Sequence, residues 1–157
     1  MQVEITHQPI ADAIPPHQSQ ADILIVPGLP DYQVPETDQA LYPTNVADLV
    51  KIAREAGFSI DYADDGNRAY FGLKAAEVWI PIITFVNEAV AAGFGVVIGD
   101  WLRELIGTEE GRRTRLHVKV GKKQVDGDTV EWMTANGDAD EVLQALETFL
   151  ARPSGRD

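Results

Sequence analysis

None of the 157 residues is cysteine, which excludes disulfides, thiolate metal sites and cysteine nucleophiles together. That absence fits a reducing, cytoplasmic setting. Serine occurs only at Ser19, Ser59 and Ser154, and none sits in the Gly-x-Ser-x-Gly elbow that presents a nucleophile between a strand and a helix. The three histidines, His7, His17 and His117, lack the i, i+4 spacing of a helical metal pair and have no carboxylate partner near them in sequence. Positive charge is also scarce: 13 Lys plus Arg stand against 25 Asp plus Glu, a net −12. Such a balance repels phosphate backbones and disfavours nucleic acid as a partner. Residues 1–16 carry Glu4 and Asp12 without a basic or apolar leader region, so no secretory signal is read there. These exclusions leave no expected catalytic group, metal or cofactor.

What is present describes a folding chain, with 45% apolar and 24% charged residues. Gln2 to Thr6 alternate as a short edge strand would, and Pro9, Pro15 and Pro16 end it. Residues 1–20 are therefore read as a loose arm, 21–151 as one α+β domain and 152–157 as a tail. Ala21 to Val26 is a short apolar run closed by Pro27 and Gly28, the pattern of a buried central strand. The Pro-rich stretch 27–43 follows the end of that strand, where ligands commonly sit in open α/β sheets. Asp31, Tyr32 and Asp38 are its polar groups, and they define an alternative reading as a small-ligand binder or enzyme.

Thr44 or Asn45 can cap a helix buried through Val46, Leu49, Val50 and Ala53 and stopped by Gly57. Alternation in Phe58–Tyr62 and in Ala69–Leu73, around Asp64-Asp65-Gly66-Asn67, predicts a β-hairpin. Asp61, Asp64 and Asp65 do not fit a calcium loop, because Ala63 and Gly72 occupy positions that need ligands. They are read as a solvated turn. Apolar residues from Trp79 to Leu105, spaced three and four apart, predict a helix from Pro81 to Ile106, about 25 residues long. Ala91, Gly95 and Gly99 form a small-residue stripe along it, which implies close approach by another backbone. That approach could come from the core, a partner subunit or a second copy, or neighbours in a membrane. Asn87 and Glu88 near the midpoint disfavour the membrane span. Leu116–Val120 and Val130–Trp132 flank Asp126-Gly127-Asp128 and predict a second hairpin. Asp138 and Glu141 form a capping box before a last helix buried through Val142, Leu143, Leu146, Phe149 and Leu150.

The element order is thus βαββαββα: an α+β fold with a mixed or antiparallel sheet of about five strands and three helices, ferredoxin-like with an added strand and helix. Residues 112–123 collect Arg112, Arg113, Arg115, Lys119, Lys122 and Lys123 without an acid. The rest of the chain is therefore still more acidic than its total. The cations either guard a strand edge or dock an acidic partner or anionic lipid.

Gly93-Phe-Gly-Val-Val-Ile-Gly-Asp-Trp-Leu-Arg-Glu-Leu105, Arg115-Leu-His-Val-Lys-Val-Gly121, Thr129-Val-Glu-Trp132 and Gly137-Asp-Ala-Asp-Glu-Val-Leu-Gln-Ala-Leu146 together resemble a known group. These are the small effector-associated constant components found beside multidomain NTP-dependent conflict systems of bacteria. The resemblance covers the C-terminal part of the chain and implies an adaptor in a defence or signalling complex. The reading is of a non-enzymatic interaction module that binds another subunit, or itself, through the Ala91/Gly95/Gly99 stripe and the basic hairpin. A further alternative is an acidic immunity protein that blocks a basic toxin.

Overall fold

A computed structural model of the protein describes residues 1–14, 19–30, 38–64, 66–71, 77–107, 115–124 and 129–152. Two layers are built on a seven-stranded mixed sheet, with a two-stranded sheet beside it. The apolar run after Ala21 forms β2 (Ile23–Val26), buried at every residue. It lies between β7 (Ile82–Phe85), antiparallel to it, and β4 (Ile60–Tyr62), parallel to it. The expected second hairpin is present: β8 (Arg115–Lys123) and β9 (Thr129–Asp138) pair antiparallel along their length. β1 (Gln2–Pro9) pairs antiparallel with the outer side of β9. The strand order is β1-β9-β8-β7-β2-β4, and β6 (Glu77–Trp79) also pairs with β8. β6 and β7 both run parallel to β8, on the side that β9 leaves open. They form one line interrupted at Pro81, which has no N–H for the ladder. β3 (Ala40–Pro43) and β5 (Arg68–Phe71) make the separate parallel pair.

The period of two sorts the sheet into two faces. On one, Ile23, Ile25, Ile83, Phe85, Val118, Val120, Met133 and Ala135 join the main core with the buried sides of α2 (Val46–Glu55), α3 (Ala91–Leu105) and α4 (Ala139–Ala151). On the other, Val26, Ile82, Val130 and Trp132 are covered by α1 (Ile10–Ala13) and Ile14.

The α+β class agrees with the sequence, but the counts do not: among the described residues the main sheet has seven strands rather than about five, and there are four helices rather than three. The helix expected from Pro81 to Ile106 is strand β7, a 3-10 turn at Glu88–Val90 and then α3. Val78, Ile80, Ile82, Ile83, Thr84, Phe85 and Val86 are β-branched or aromatic, so the sheet takes them despite their helical spacing. Asn87 then starts the turn, its side chain accepting from the Ala89 N–H at 3.1 Å. Among the described residues no helix is long and apolar enough to cross a membrane. The hairpin expected around residues 64–67 is not formed either. β4 pairs with β2 and β5 with β3, so the two strands belong to different sheets instead of being partners. This removes the strand pairing that a ferredoxin-like arrangement would need. Asp138 stands at the α4 N-cap without a side-chain capping bond. The arm expected at residues 1–20 contains the edge strand β1, which runs through Pro9, and then α1.

Candidate interaction surface

The small-residue stripe faces inward. Ala91, Gly95 and Gly99 all lie on the buried side of α3. A Cβ on Gly95 would meet the Leu150 side chain at 3.5 Å, and one on Gly99 would lie 3.1 Å from Arg103 Nη1 and 3.5 Å from Glu147 Oε1. Arg103 Nη2 donates to Glu147 Oε1 across the same seam at 2.6 Å. What packs on the stripe is α4 of the same chain, through the Leu150 and Glu147 side chains, which corrects its assignment to a partner. The Gly95 separation is ordinary van der Waals contact, so α4 does not require glycine there. Gly95→Ala is expected to raise the unfolding free energy by about 0.5–1 kcal/mol through helix propensity, read by urea denaturation.

The basic segment is likewise divided by the strand period. Arg115, Lys119 and Lys123 share one face of β8, at four-residue steps of about 13 Å. Arg115 donates to Asn136 Oδ1 at 2.8 Å, and Lys119 Nζ lies 4.8 Å from the centre of the Trp132 ring. Lys122 points the other way and is buried. Its ammonium donates to the carbonyls of Phe149 and Arg152, at 2.6 and 2.8 Å, at the end of α4. Lys122 is therefore part of the core rather than of a cationic surface. Arg112 and Arg113 lie outside the described residues.

Two polar clusters hold strands together. Asp64, expected in a solvated turn, is only 3% exposed at its side chain. It accepts from Tyr42 Oη at 2.5 Å, Arg68 Nε at 2.7 Å and the Gly66 N–H at 2.6 Å. The Arg68 guanidinium also covers the Tyr62 ring at 3.8 Å. Burial raises the Asp64 carboxyl, but these hydrogen bonds outweigh burial and hold it below the usual carboxylate range. A carboxylate so committed is a clamp between the two sheets rather than a proton acceptor. In the second cluster His117 has a carboxylate partner that sequence spacing missed: its Nε2 lies 3.1 Å from Glu77 Oε1. The imidazole stacks on Trp79 with centroids 4.5 Å apart. The parallel register Trp79↔His117 makes the contact, so it could be found only by knowing that β6 pairs with β8. Among the described residues no cluster of three or more His, Asp or Glu side chains could hold a metal ion.

In the Pro-rich loop, Asp31 and Tyr32 lie outside the described residues. Asp38 is exposed, and its carbonyl accepts from Asn67 Nδ2 at 3.2 Å.

The surface that stands out is the β1 side of the sheet. β1 is the outermost strand, eight residues long, in unbroken register from Gln2↔Asn136 to Pro9↔Thr129. Natural edges are usually guarded by lysine, proline, bulges or shortness. β1 has no lysine, no bulge, and proline only at its end. Val3 and Ile5 point to the helix-covered face yet remain 45% and 44% exposed, because α4 stops short of them. With Met1, Met133, Ala145 and Phe149 they line an apolar groove of about 440 Å³ between β1 and α4. Glu141 stands on its rim near Met1 and Arg152 at its other end. Arg152 pairs with Glu131 at 3.1 Å, and His7 Nε2 lies 3.5 Å from the same carboxylate. The alternation of Val3 and Ile5 was legible in the sequence, but the groove depends on where α4 sits.

No protein family, no curated protein and no solved structure matches this chain.

Proposed function

We propose that this chain is a non-enzymatic interaction module, an adaptor that seats an apolar segment of another protein in the groove between β1 and α4. The observation that carries this reading is the groove itself, floored by half-exposed Val3 and Ile5 and walled by Ala145 and Phe149. Leaving two branched apolar side chains half in water beside a concave wall is unfavourable for a free chain, and covering them favours association. Ion pairs close both ends of the groove, Met1 ammonium with Glu141 at 3.8 Å and Arg152 with Glu131 at 3.1 Å, so the apolar middle carries the recognition. A place in a bacterial defence or signalling complex follows from the resemblance of the C-terminal part to conflict-system components. Arg115 and Lys119, on the opposite face, are the part of the basic hairpin that we assign to an acidic partner.

The test is site-specific photo-cross-linking in the native host, with the photoreactive residue at Ala145 in the groove wall or at Asp48 on exposed α2. The reading expects one protein captured from Ala145 and not from Asp48. Val3→Lys should then weaken that purified pair at least tenfold with unchanged thermal melting. Equal capture from both positions, or no loss in Val3→Lys, would overturn it.

A further inference from the structure

We propose that the open backbone edge of β1 is covered by a second copy of this chain, paired antiparallel about a two-fold axis through Ile5. The proposal rests on reading the β1 side of the sheet as the docking side, and it adds what the groove does not supply, a partner for the strand's free N–H and C=O groups.

The strand reads Gln2-Val3-Glu4-Ile5-Thr6-His7-Gln8, with glutamine at both ends and an isoleucine at its centre. A two-fold axis normal to the sheet through Ile5 sets Gln2 opposite the partner's Gln8, Val3 opposite the partner's His7 and Glu4 opposite the partner's Thr6. Ile5 then meets the partner's Ile5. Directly opposed residues of an antiparallel pair share a face. The isoleucines therefore meet on the groove side, while glutamate and threonine meet on the other. No like charges oppose one another, and the partner's His7 arrives at the end of the groove where Glu141 stands.

Neighbouring registers that keep both helix layers on one side are poorer. Centring on Glu4 sets two carboxylates face to face, which is destabilising. Centring on Thr6 opposes Val3 with Pro9, which has no N–H to donate. Among the described residues no strand pairs with the outer edge of β1, and α1 turns inward across the back face onto Val130 and Trp132. Pairing would also join the two apolar grooves into one trough across the axis, leaving the adaptor surface open and doubled.

The absence of native cysteine makes the register directly testable. Directly opposed Cα atoms in an antiparallel pair lie about 4.5–5.5 Å apart, within disulfide reach, whereas residues one register step away exceed the roughly 7 Å limit. Mild oxidation of Ile5→Cys should give a disulfide-linked dimer in high yield, and Glu4→Cys should not. In the unlinked protein, sedimentation equilibrium should give the mass of two chains. Thr6→Glu, which faces the partner's Glu4, should weaken the dimer about tenfold, and Glu4→Lys in the same chain should restore it. A one-chain mass at every concentration, or equal cross-linking of the two cysteine variants, overturns the pairing. A one-chain mass together with specific capture from Ala145 refutes the pairing and leaves the adaptor reading standing. A dimer with Ile5 register that captures nothing from Ala145 does the reverse.

Discussion

Asp64→Ala is expected to lower the unfolding free energy by about 3–5 kcal/mol, the range for removing one member of a buried ion pair. The carboxylate is the shared acceptor of Tyr42, Arg68 and the Gly66 N–H, so its loss leaves a buried hydroxyl and a largely covered guanidinium without an acceptor. Burial and the neighbouring carboxylate both push the Tyr42 hydroxyl well up, so it stays a donor around neutral pH and cannot replace the lost charge. The pH dependence has a definite sign. The folded carboxyl titrates below its ordinary value of 3.8. Its contribution is therefore present above that pH and is lost as pH falls through the lower folded value. Urea denaturation of wild type and variant should show a gap that is constant near neutrality and closes on acidification below about pH 4. A gap independent of pH would show that Asp64 acts through packing alone.

Lys122→Ala should cost about 2–4 kcal/mol. Its ammonium caps the last carbonyls of α4 and lies 4.3 Å from the centre of the Phe149 ring. Truncation removes both hydrogen bonds and the buried stem, and relief from desolvating a charge offsets part of the loss. Lys122→Met keeps the stem and should cost roughly half as much. Burial, then the charge of Arg152, lowers this amine below its ordinary value of 10.5, against the opposing pull of Glu131 and Glu88. The unfolded chain therefore binds more protons between the folded value and 10.5, so wild-type stability rises with pH across that window. The gap to Lys122→Met should widen in the same alkaline range. A narrowing gap would mean that the amine is better hydrated than its burial implies.

These two clamps mark the boundary of what the sequence discloses. β2, α2, α4 and the β8–β9 hairpin were legible because each is written in a local pattern: a run of four apolar residues, a 3.6 period or an alternation beside a turn. The errors arose where a local pattern had two readings and the choice lay elsewhere in the chain. Trp79, Ile83 and Val86 fit a helical stripe, but they are also β-branched or aromatic, and β8 lay ready to pair with that segment. The strands flanking Asp64 and Asn67 find β2 and β3 rather than each other. Tyr42 and Asp64 are 22 residues apart and His117 and Glu77 40 apart, so neither pair could be seen before the strand order was known. The candidate surface was half visible: Val3 and Ile5 announced a strand, but nothing local placed Ala145 and Phe149 across from them.

The pairing of β1 with β9 also sets an order of events during synthesis. β1 leaves the ribosome well before residues 129–138 and must wait for them before it gains this neighbour, and closing so long a loop is slow. Throughout that interval Val3 and Ile5 travel on an unpaired strand without lysine to discourage wrong partners. Chaperone dependence or inclusion-body formation in expression trials should therefore track this segment, and lengthening the wait by slowing translation before residue 129 should worsen both.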